Sequence, residues 1–339
     1  MKLYCGIDLH SNNNYTVVQD EQDQVMYRKR LSNVLSVVLT ELRPFQTGLE
    51  GVVVESTYNW YWLVDGLMEA GYRVHLANTT AIQPYSGLKY SDDNSDAQWL
   101  AHLLRLGVLP TGYIYPKETR PLRDLLRQRS WLVRQRTSHL LHVGNILTRN
   151  QGHRFSVRQI NDLTGEQMGQ LFVDRERTLA VESSLKVLGV LDQQIAAIEK
   201  QIKSRLRLDP SYRLLETVYG IGEILAMTIR LETGDVGRFP QVGDYASYCR
   251  CVGSQRLSND NKKGENNRHN GNKYLAWAYV EAAYYAARFY PQVRRYVEKK
   301  TAQRNHALAL KALAHKLARA CYYVMRDQVP FEPARLFGS

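Results

Sequence analysis

Apolar positions in the first third of the chain follow the period of strands and then that of helices. Three β-rich segments come first, and the apolar run of the first one ends at Asp8. A helical pattern follows and stops at Pro44, after which the strand-like run from Gly51 to Val54 ends in Glu55. A helix, a strand and a helix beginning near Asp96 continue the pattern. This βββαβ order predicts an α/β sheet, whose ligands bind at the carboxyl ends of its strands.

Helical patterns dominate residues 113–210. Between Lys117 and Arg149 an apolar stripe runs beside dense positive charge, which predicts a basic amphipathic helix. Five apolar residues then repeat at alternating spacings of three and four: Leu188, Leu191, Ile195, Ile198 and Ile202. Such a repeat packs along a seam against a partner helix. We expect a helical hairpin or coiled coil here, with self-association and packing inside one chain both open.

The final third, residues 211–330, is predicted to be a mostly helical second domain. It places Gly220 and Gly222 in a turn between two helical patterns, which resembles a helix-hairpin-helix. In that motif free backbone amides can face a phosphate, so both glycines are candidate nucleic-acid contacts, and close helix packing is the alternative. The segment from Ser258 to Asn272 is rich in Asn, Lys and Gly and predicts an exposed loop.

The chain of 339 residues has a formal net charge of +12, an excess that favours a polyanionic partner, most commonly nucleic acid. For any single basic residue, solvated surface is the alternative. The candidate contacts with the nucleic-acid backbone are Arg120, Arg123, Arg127, Lys262, Lys263, Arg268 and Lys273.

The four cysteines form no CxxC pair and no Cys/His cluster at zinc spacing. No run approaches the length of a membrane span, and the first residues lack a secretory apolar core. We therefore expect a reduced, cytoplasmic protein.

Four carboxylates could share one site. Asp8 and Glu55 end predicted strands of one sheet, and Asp93 and Asp96 lie three residues apart, on one face of a helix. Clustered acids repel one another unless hard cations such as Mg²⁺ neutralise them, and oxygen ligands suit that ion. The alternative is structural: Asp92 and Asp93 could cap the helix, Asp8 could begin a turn, and Glu55 could pair with an arginine.

Several blocks of this sequence resemble the DEDD insertion-sequence transposases. GIDLH, VVVEST and SDDNSDA resemble the ribonuclease H-like (RuvC-like) domain of that family. LETVYGIGEILA, YCRCVGSQRLSN and NGNKYLAWAYVEAA resemble its second domain, so the resemblance spans nearly the whole chain. The last two blocks are most similar to the IS1111 subgroup of the IS110 family.

The resemblance implies a catalytic role for particular residues. Asp8, Glu55, Asp93 and Asp96 would hold one or two Mg²⁺ ions, and a serine would act as nucleophile. The family's aspartate pair has alanine directly after the second member, which Ala97 satisfies for Asp96, whereas Asp92 does not fit. The family's serine corresponds to Ser258, although Asn259 replaces the usual glycine and Gly253 stands where proline is common. Ser254 is the fallback.

The same resemblance implies the partners. It predicts recombination of donor and target DNA directed by a guide RNA that the element encodes. It also predicts a homo-oligomer, a dimer or a tetramer, in the nucleoid of a bacterial cytoplasm.

Three alternatives remain open from the residues alone. A junction-resolving nuclease of the same fold would use water in place of Ser258. A nucleic-acid-binding protein without catalysis would use the acids only to hold its fold. A sugar-kinase-like ATPase would need a glycine-rich phosphate loop after its first strand, and the segment HSNNNYT lacks one.

Overall fold

The computed structural model describes residues 1–82, 93–254, 256–264 and 269–337. The chain forms two compact units, one of residues 1–117 with 255–270, and one of residues 118–254 with 271–339. The second unit is therefore interrupted by a segment that belongs to the first. The predicted boundaries at residues 112 and 210 remain predictions.

The first unit contains a six-stranded mixed sheet with the order β3-β2-β1-β4-β5-β6. Its strands are β1 (Leu3–Leu9), β2 (Asn13–Asp20), β3 (Val25–Ser32), β4 (Leu49–Glu55), β5 (Val74–Ala77) and β6 (Thr111–Gly112). The first three strands pair antiparallel, whereas β1, β4 and β5 run parallel to one another and β6 is antiparallel to β5. This arrangement is compatible with the predicted ribonuclease H-like sheet.

Helices cover both faces of this sheet. They are α1 (Leu35–Leu42), α2 (Tyr61–Glu69) and α3 (Asp93–Arg105), so the predicted order of strands and helices is confirmed. In β4, Val52 and Val54 pack with α1 and α2, and Val53 packs with Leu100 of α3 on the opposite face. Because successive residues of a strand point to opposite faces, a continuous apolar run is required here.

Helix α3 approaches β1 very closely at Gly6. A Cβ atom on Gly6 would lie 1.9 Å from the backbone oxygen of Ala97, and Ala97 and Ala101 are both fully buried. Only glycine at this position of the strand leaves room for this contact. This packing fixes the height of α3 above the sheet.

The predicted loop after residue 254 contains a short hairpin of β7 (Arg256–Ser258) and β8 (Asn261–Gly264). The two turn residues, Asn259 and Asp260, have φ angles of 50° and 62°. Positive φ at both central residues is typical of a type I′ turn, which suits the twist of a two-residue hairpin. The exposed loop is thus a hairpin over part of its length.

The second unit is helical in its described part. Its helices are α4 (Arg120–Gln151), α5 (Val157–Asn161), α6 (Gly165–Leu171), α7 (Arg175–Leu206), α8 (Pro210–Leu215), α9 (Glu223–Thr233), α10 (Val242–Tyr248), α11 (Lys273–Phe289), α12 (Pro291–Gln303), α13 (His306–Asp327) and α14 (Pro333–Phe337). Within the described ranges, no helix has both the length and the apolar character needed to cross a membrane.

The predicted basic helix and the apolar repeat pack on each other. Helix α4 lies along α7, and the ion pairs Arg129–Glu199 and Arg136–Asp192 join them. Leu188, Ile195 and Ile202 of the repeat are buried in this chain. The seam is therefore filled by packing within one chain, the second of the two possibilities left open by the sequence.

A separate core lies among helices α8 to α13. The Tyr245 and Tyr279 hydroxyl groups are 2.6 Å apart in its centre, and both rings are fully buried. Gly220, with φ of 80°, packs against α11, since a Cβ atom there would lie 2.1 Å from the backbone oxygen of Ala282. Close helix packing thus explains this glycine without a phosphate.

Candidate metal centre at the carboxyl end of the central strands

Two of the four predicted acids lie side by side at one edge of the sheet. Asp8 is the penultimate residue of β1 and is buried, and Glu55 is the last residue of β4. The strands are parallel neighbours, with Ile7 paired to Val54, so the next residue of each strand is an acid. Parallel strands place their carboxyl ends at one edge, where the sequence predicted a site.

The other two acids come from the first turn of α3, where Asp93 is half-buried and Asp96 is exposed. The close approach of Gly6 to Ala97 places this turn beside the end of β1. Ala97, which matches the alanine of the family pattern, is fully buried at this contact, so its small side chain fits the close packing of α3 on β1. Asp92 lies outside the described residues.

The electrostatics of Glu55 show how tightly the acids are grouped. Burial, a hydrogen bond with Asp8 and the negative charges of Asp8 and Asp96 together raise the pKa of Glu55 to about 8. Near neutral pH the cluster thus retains a proton that a cation would displace. Carboxylate oxygens are the ligands of hard divalent cations, so these residues fit such an ion.

His10 also belongs to the cluster, and the sequence analysis missed it. Its Nε2 atom lies 3.1 Å from Oδ2 of Asp8 and 3.5 Å from Oδ2 of Asp93. Together these three residues form a group that could hold a metal ion. The available signal was the spacing of two from Asp8, which places both side chains on one face of an extended chain.

Ser258 is the last residue of β7 and is exposed, and it belongs to the same compact unit as the four acids. Asn259, which replaces the expected glycine, adopts a left-handed conformation that glycine favours and asparagine tolerates. The departure from the family pattern is therefore compatible with the same turn. Ser254, the fallback, is half-buried and belongs to the second unit.

The three predicted arginine contacts of α4 differ in their accessibility. Arg120 and Arg123 are buried, and Arg123 and Arg127 bind Glu232 at 3.0 and 2.7 Å. Burial opposes the ionisation of Glu232, but the arginines outweigh it and lower its pKa. The positions of Arg120 and Arg123 do not support the predicted contacts with nucleic acid, whereas the Arg127 side chain is 32% exposed.

The remaining predicted contacts differ in accessibility. Gly222 precedes α9 and has open space beside it, and Lys263 and Lys273 are exposed. Arg268 and the Lys262 side chain lie outside the described residues. Among the predicted lysine contacts in the described residues, Lys263 of β8 and Lys273 at the start of α11 are thus exposed.

Two family profiles match this chain. A profile for DEDD transposases of IS110 type, described as "Transposase", matches residues 5–150, and one described as "Transposase IS116/IS110/IS902 family" matches residues 212–298. The first range contains all four acids and His10, and the second contains Ser258.

Curated relatives carry similar descriptions. A "Probable family 20 transposase" of Pseudomonas aeruginosa is 26% identical over 226 residues, which cover 60% of this chain and 63% of that protein, slightly less than two thirds of it. A "Transposase for insertion sequence element IS1328" of Yersinia enterocolitica is 23% identical over 284 residues, which cover 77% of this chain and 79% of that transposase. The matched ranges contain both the acids at the sheet edge and the serine hairpin, and the chain belongs to the IS110 family of DEDD transposases.

Proposed function

We propose that this protein is a DNA recombinase that cuts and rejoins DNA strands by metal-dependent phosphoryl transfer. The main support for this proposal is that acids from β1, β4 and α3 lie close together. Their proximity contributes to the raised pKa of Glu55. Asp8, Glu55, Asp93 and Asp96 would hold one or two Mg²⁺ ions. When bound, such ions polarise the scissile phosphate and stabilise the charge that develops on it.

Ser258 is the proposed nucleophile. Its hydroxyl oxygen attacks the phosphorus atom, forms a phosphoserine ester and releases one DNA end as a hydroxyl group. Attack by the hydroxyl of another strand then restores a phosphodiester and frees the serine, so no bond energy is lost to water. Ser258 needs activation because a neutral hydroxyl is a poor nucleophile, and a carboxylate of the cluster is the proposed acceptor of its proton.

A contact of residues 255–270, the segment that contains Ser258, supports a site in which Ser258 and the four acids come from the same subunit. The Asn78 side chain donates a hydrogen bond of 3.2 Å to the side chain of Asn270, twelve residues after Ser258. Asn78 directly follows β5, whose last residue, Ala77, pairs with Glu55. The last residue of the segment 255–270 therefore lies near the carboxyl ends of β4 and β5, the side of the sheet on which the acids lie.

Donor DNA, target DNA and an element-encoded guide RNA are the proposed partners, in a dimer or tetramer in the bacterial cytoplasm. Family membership and the net charge of +12 support nucleic-acid partners. Helix α11 adds an exposed stripe at spacings of four, seven and four, formed by Lys273, Trp277, Tyr284 and Arg288. Aromatic rings between cations suit the unpaired bases and the backbone of a single strand.

The decisive experiment compares two acids of the same strand. Glu55→Gln should lower DNA strand cleavage by about 1000-fold or more while DNA binding changes little, because loss of a ligand disables the metal-assisted step. Glu50→Gln is the matched control, since Glu50 is an exposed β4 acid that pairs with Lys2 on the surface. Full activity of Glu55→Gln would overturn the proposal.

The Ser258→Ala variant distinguishes strand joining through the serine from strand hydrolysis by water. We expect this variant to lose the denaturation-resistant protein–DNA adduct and the joined DNA products. Continued cleavage to hydrolysed ends would instead favour the junction-resolving nuclease, in which water replaces the serine. An adduct that forms equally well in Ser258→Ala would transfer the role to Ser254.

A further inference from the structure

His10 contacts two acids of the cluster through one ring nitrogen. Nε2 is 3.1 Å from an oxygen of Asp8 and 3.5 Å from an oxygen of Asp93, and all three candidate ligand atoms lie within 4.8 Å of one another. A hydrogen bond explains the first distance, whereas the second exceeds the usual range for one. When each metal–ligand bond is about 2.1 Å, ligand atoms of an octahedral ion lie about 3 Å apart if adjacent and about 4.2 Å apart if opposite, so both distances fall within the span of ligands around one cation.

The backbone around His10 is held by side chains from outside its own strand. The carbonyl oxygen of His10 accepts hydrogen bonds from Asn33 at 3.0 Å and from Asn59 at 2.9 Å, and its amide donates to the Asn13 carbonyl. The Tyr15 ring packs edge-on against the imidazole. The hydrogen bonds hold the His10 backbone and the Tyr15 ring packs on the imidazole, so none of these contacts uses Nε2, which is directed at the acids.

Position and accessibility also favour a ligand. The His10 side chain is 40% exposed, so an ion can reach it from solvent, whereas the neighbouring Asp8 side chain is only 8% exposed. A histidine retained merely to fill the core would be buried. The donors therefore form a mixed site of one imidazole nitrogen and two carboxylate oxygens, open on one side.

We propose that His10 is a direct ligand of the divalent cation, together with Asp8 and Asp93, and that it makes the site prefer Mn²⁺ to Mg²⁺. The inference rests on the proposed function, because it concerns the same metal site. Mg²⁺ strongly prefers oxygen ligands, and imidazole nitrogen binds the first-row transition ions more readily. His10 thus tunes which cation the four carboxylates hold.

The direct test is pulsed electron paramagnetic resonance of the full-length protein loaded with Mn²⁺. Nitrogen hyperfine coupling to Mn²⁺ is expected in the parent protein and should disappear in His10→Ala. His102→Ala is the matched control, because His102 also contacts a carboxylate, that of Asp23 at 3.0 Å, in the same unit. This control should retain the coupling.

Affinities measured by calorimetry complete the test. Removal of His10 should weaken Mn²⁺ binding by about tenfold or more, and Mg²⁺ binding by less than about threefold. Mn²⁺ that binds the parent protein without nitrogen coupling, or equal losses for both ions, would overturn the role of His10 and leave the carboxylate site intact. If neither Mn²⁺ nor Mg²⁺ bound the parent protein, the proposed function itself would be contradicted.

Discussion

Gly6 controls the distance between two pairs of acids, although it carries no reactive group. A methyl group at this position would meet backbone atoms of Ala97 and Ala101, at 1.9 and 2.9 Å, and backbone cannot rotate away as a side chain can. Helix α3 must then move from β1 and carry Asp93 and Asp96 with it.

Gly6→Ala should therefore lower the free energy of unfolding by about 1–3 kcal/mol and abolish cleavage at temperatures where the variant is still folded. Urea denaturation and a strand-cleavage assay measure the two effects. Gly189→Ala is the control, because Gly189 lies within α7 with open space around it, and alanine there should stabilise the helix by about 0.5–1 kcal/mol. An active, fully stable Gly6→Ala protein would contradict the packing argument.

The far end of α3 is fixed by a second residue, Asp23, in the turn between β2 and β3. Its carboxylate accepts hydrogen bonds of 2.7 and 2.6 Å from Arg105 and lies 3.0 Å from Nδ1 of His102. Burial opposes ionisation of Asp23, but these partners outweigh it and lower its pKa.

A lowered carboxyl pKa stabilises the folded state above the pKa of the unfolded chain, about 4, and this contribution is lost as the pH falls through the lower folded value. Asp23→Asn should thus be less stable than the parent at pH 7, and the difference should shrink below about pH 4. Urea titrations across this range measure it. Asp162→Asn removes an exposed pair and should show no such trend; a constant difference for Asp23→Asn would exclude the carboxylate charge as the cause.

Residues that follow local periodicity could be predicted from the sequence. Asp8 and Glu55 end apolar runs, and their shared edge follows from the strand order. The partner of Arg123 could not be predicted, because Glu232 lies 109 residues away and local composition suggested only a basic surface. His10 was missed because the strand pattern ended at Asp8, so the next residue on the same face was not considered.

At the scale of elements, one buried carboxylate joins three helices. Glu232 of α9 binds Arg123 and Arg127 of α4 and accepts a hydrogen bond of 2.8 Å from Asn272, which caps the start of α11. With 1% of its side chain exposed, it has almost no solvent to replace these partners. Helix α11 follows residues 255–270 along the chain, so this network holds the point at which the chain re-enters the second unit.

Glu232→Ala leaves the buried Arg123 charge without its carboxylate and should lower the free energy of unfolding by about 3–5 kcal/mol. Glu199→Ala, which removes a partly exposed pair with Arg129 between α4 and α7, should cost less than about 1 kcal/mol. Chemical denaturation of both variants gives the comparison. Similar losses in the two proteins would show that burial adds nothing to the Glu232 network.

The elements themselves were largely predictable, since strands β1 to β5 and helices α1 to α4 follow from apolar spacing. The hairpin of β7 and β8 was not, because its two short strands contain a single apolar residue, Leu257, and its turn uses Asn and Asp in place of glycine. Whether α7 packs in its own chain or on another could not follow from the repeat, because a seam of apolar residues is equally satisfied by either partner.

At the scale of the whole molecule, the chain path departs from the linear order of domains. Residues 255–270 belong to the first unit, and the flanking residues 254 and 271 belong to the second. Both flanks are held locally: Arg250 donates a hydrogen bond to the Gly271 carbonyl, and the Asn272 amide donates to the Tyr248 carbonyl. The order of residues along the chain does not reveal that residues 255–270 pack with the first unit, because this depends on contacts between residues far apart in sequence.

This path has a consequence for synthesis on the ribosome. Proteins emerge from the amino end, and their units fold as they are completed. The carboxylates of the first unit are present once residue 96 has emerged, but its hairpin arrives more than 150 residues later, after α4 to α10 have been made. A nascent or prematurely terminated chain therefore carries the acids without Ser258. Under the proposed mechanism, such a chain could not join DNA strands before most of the second unit exists.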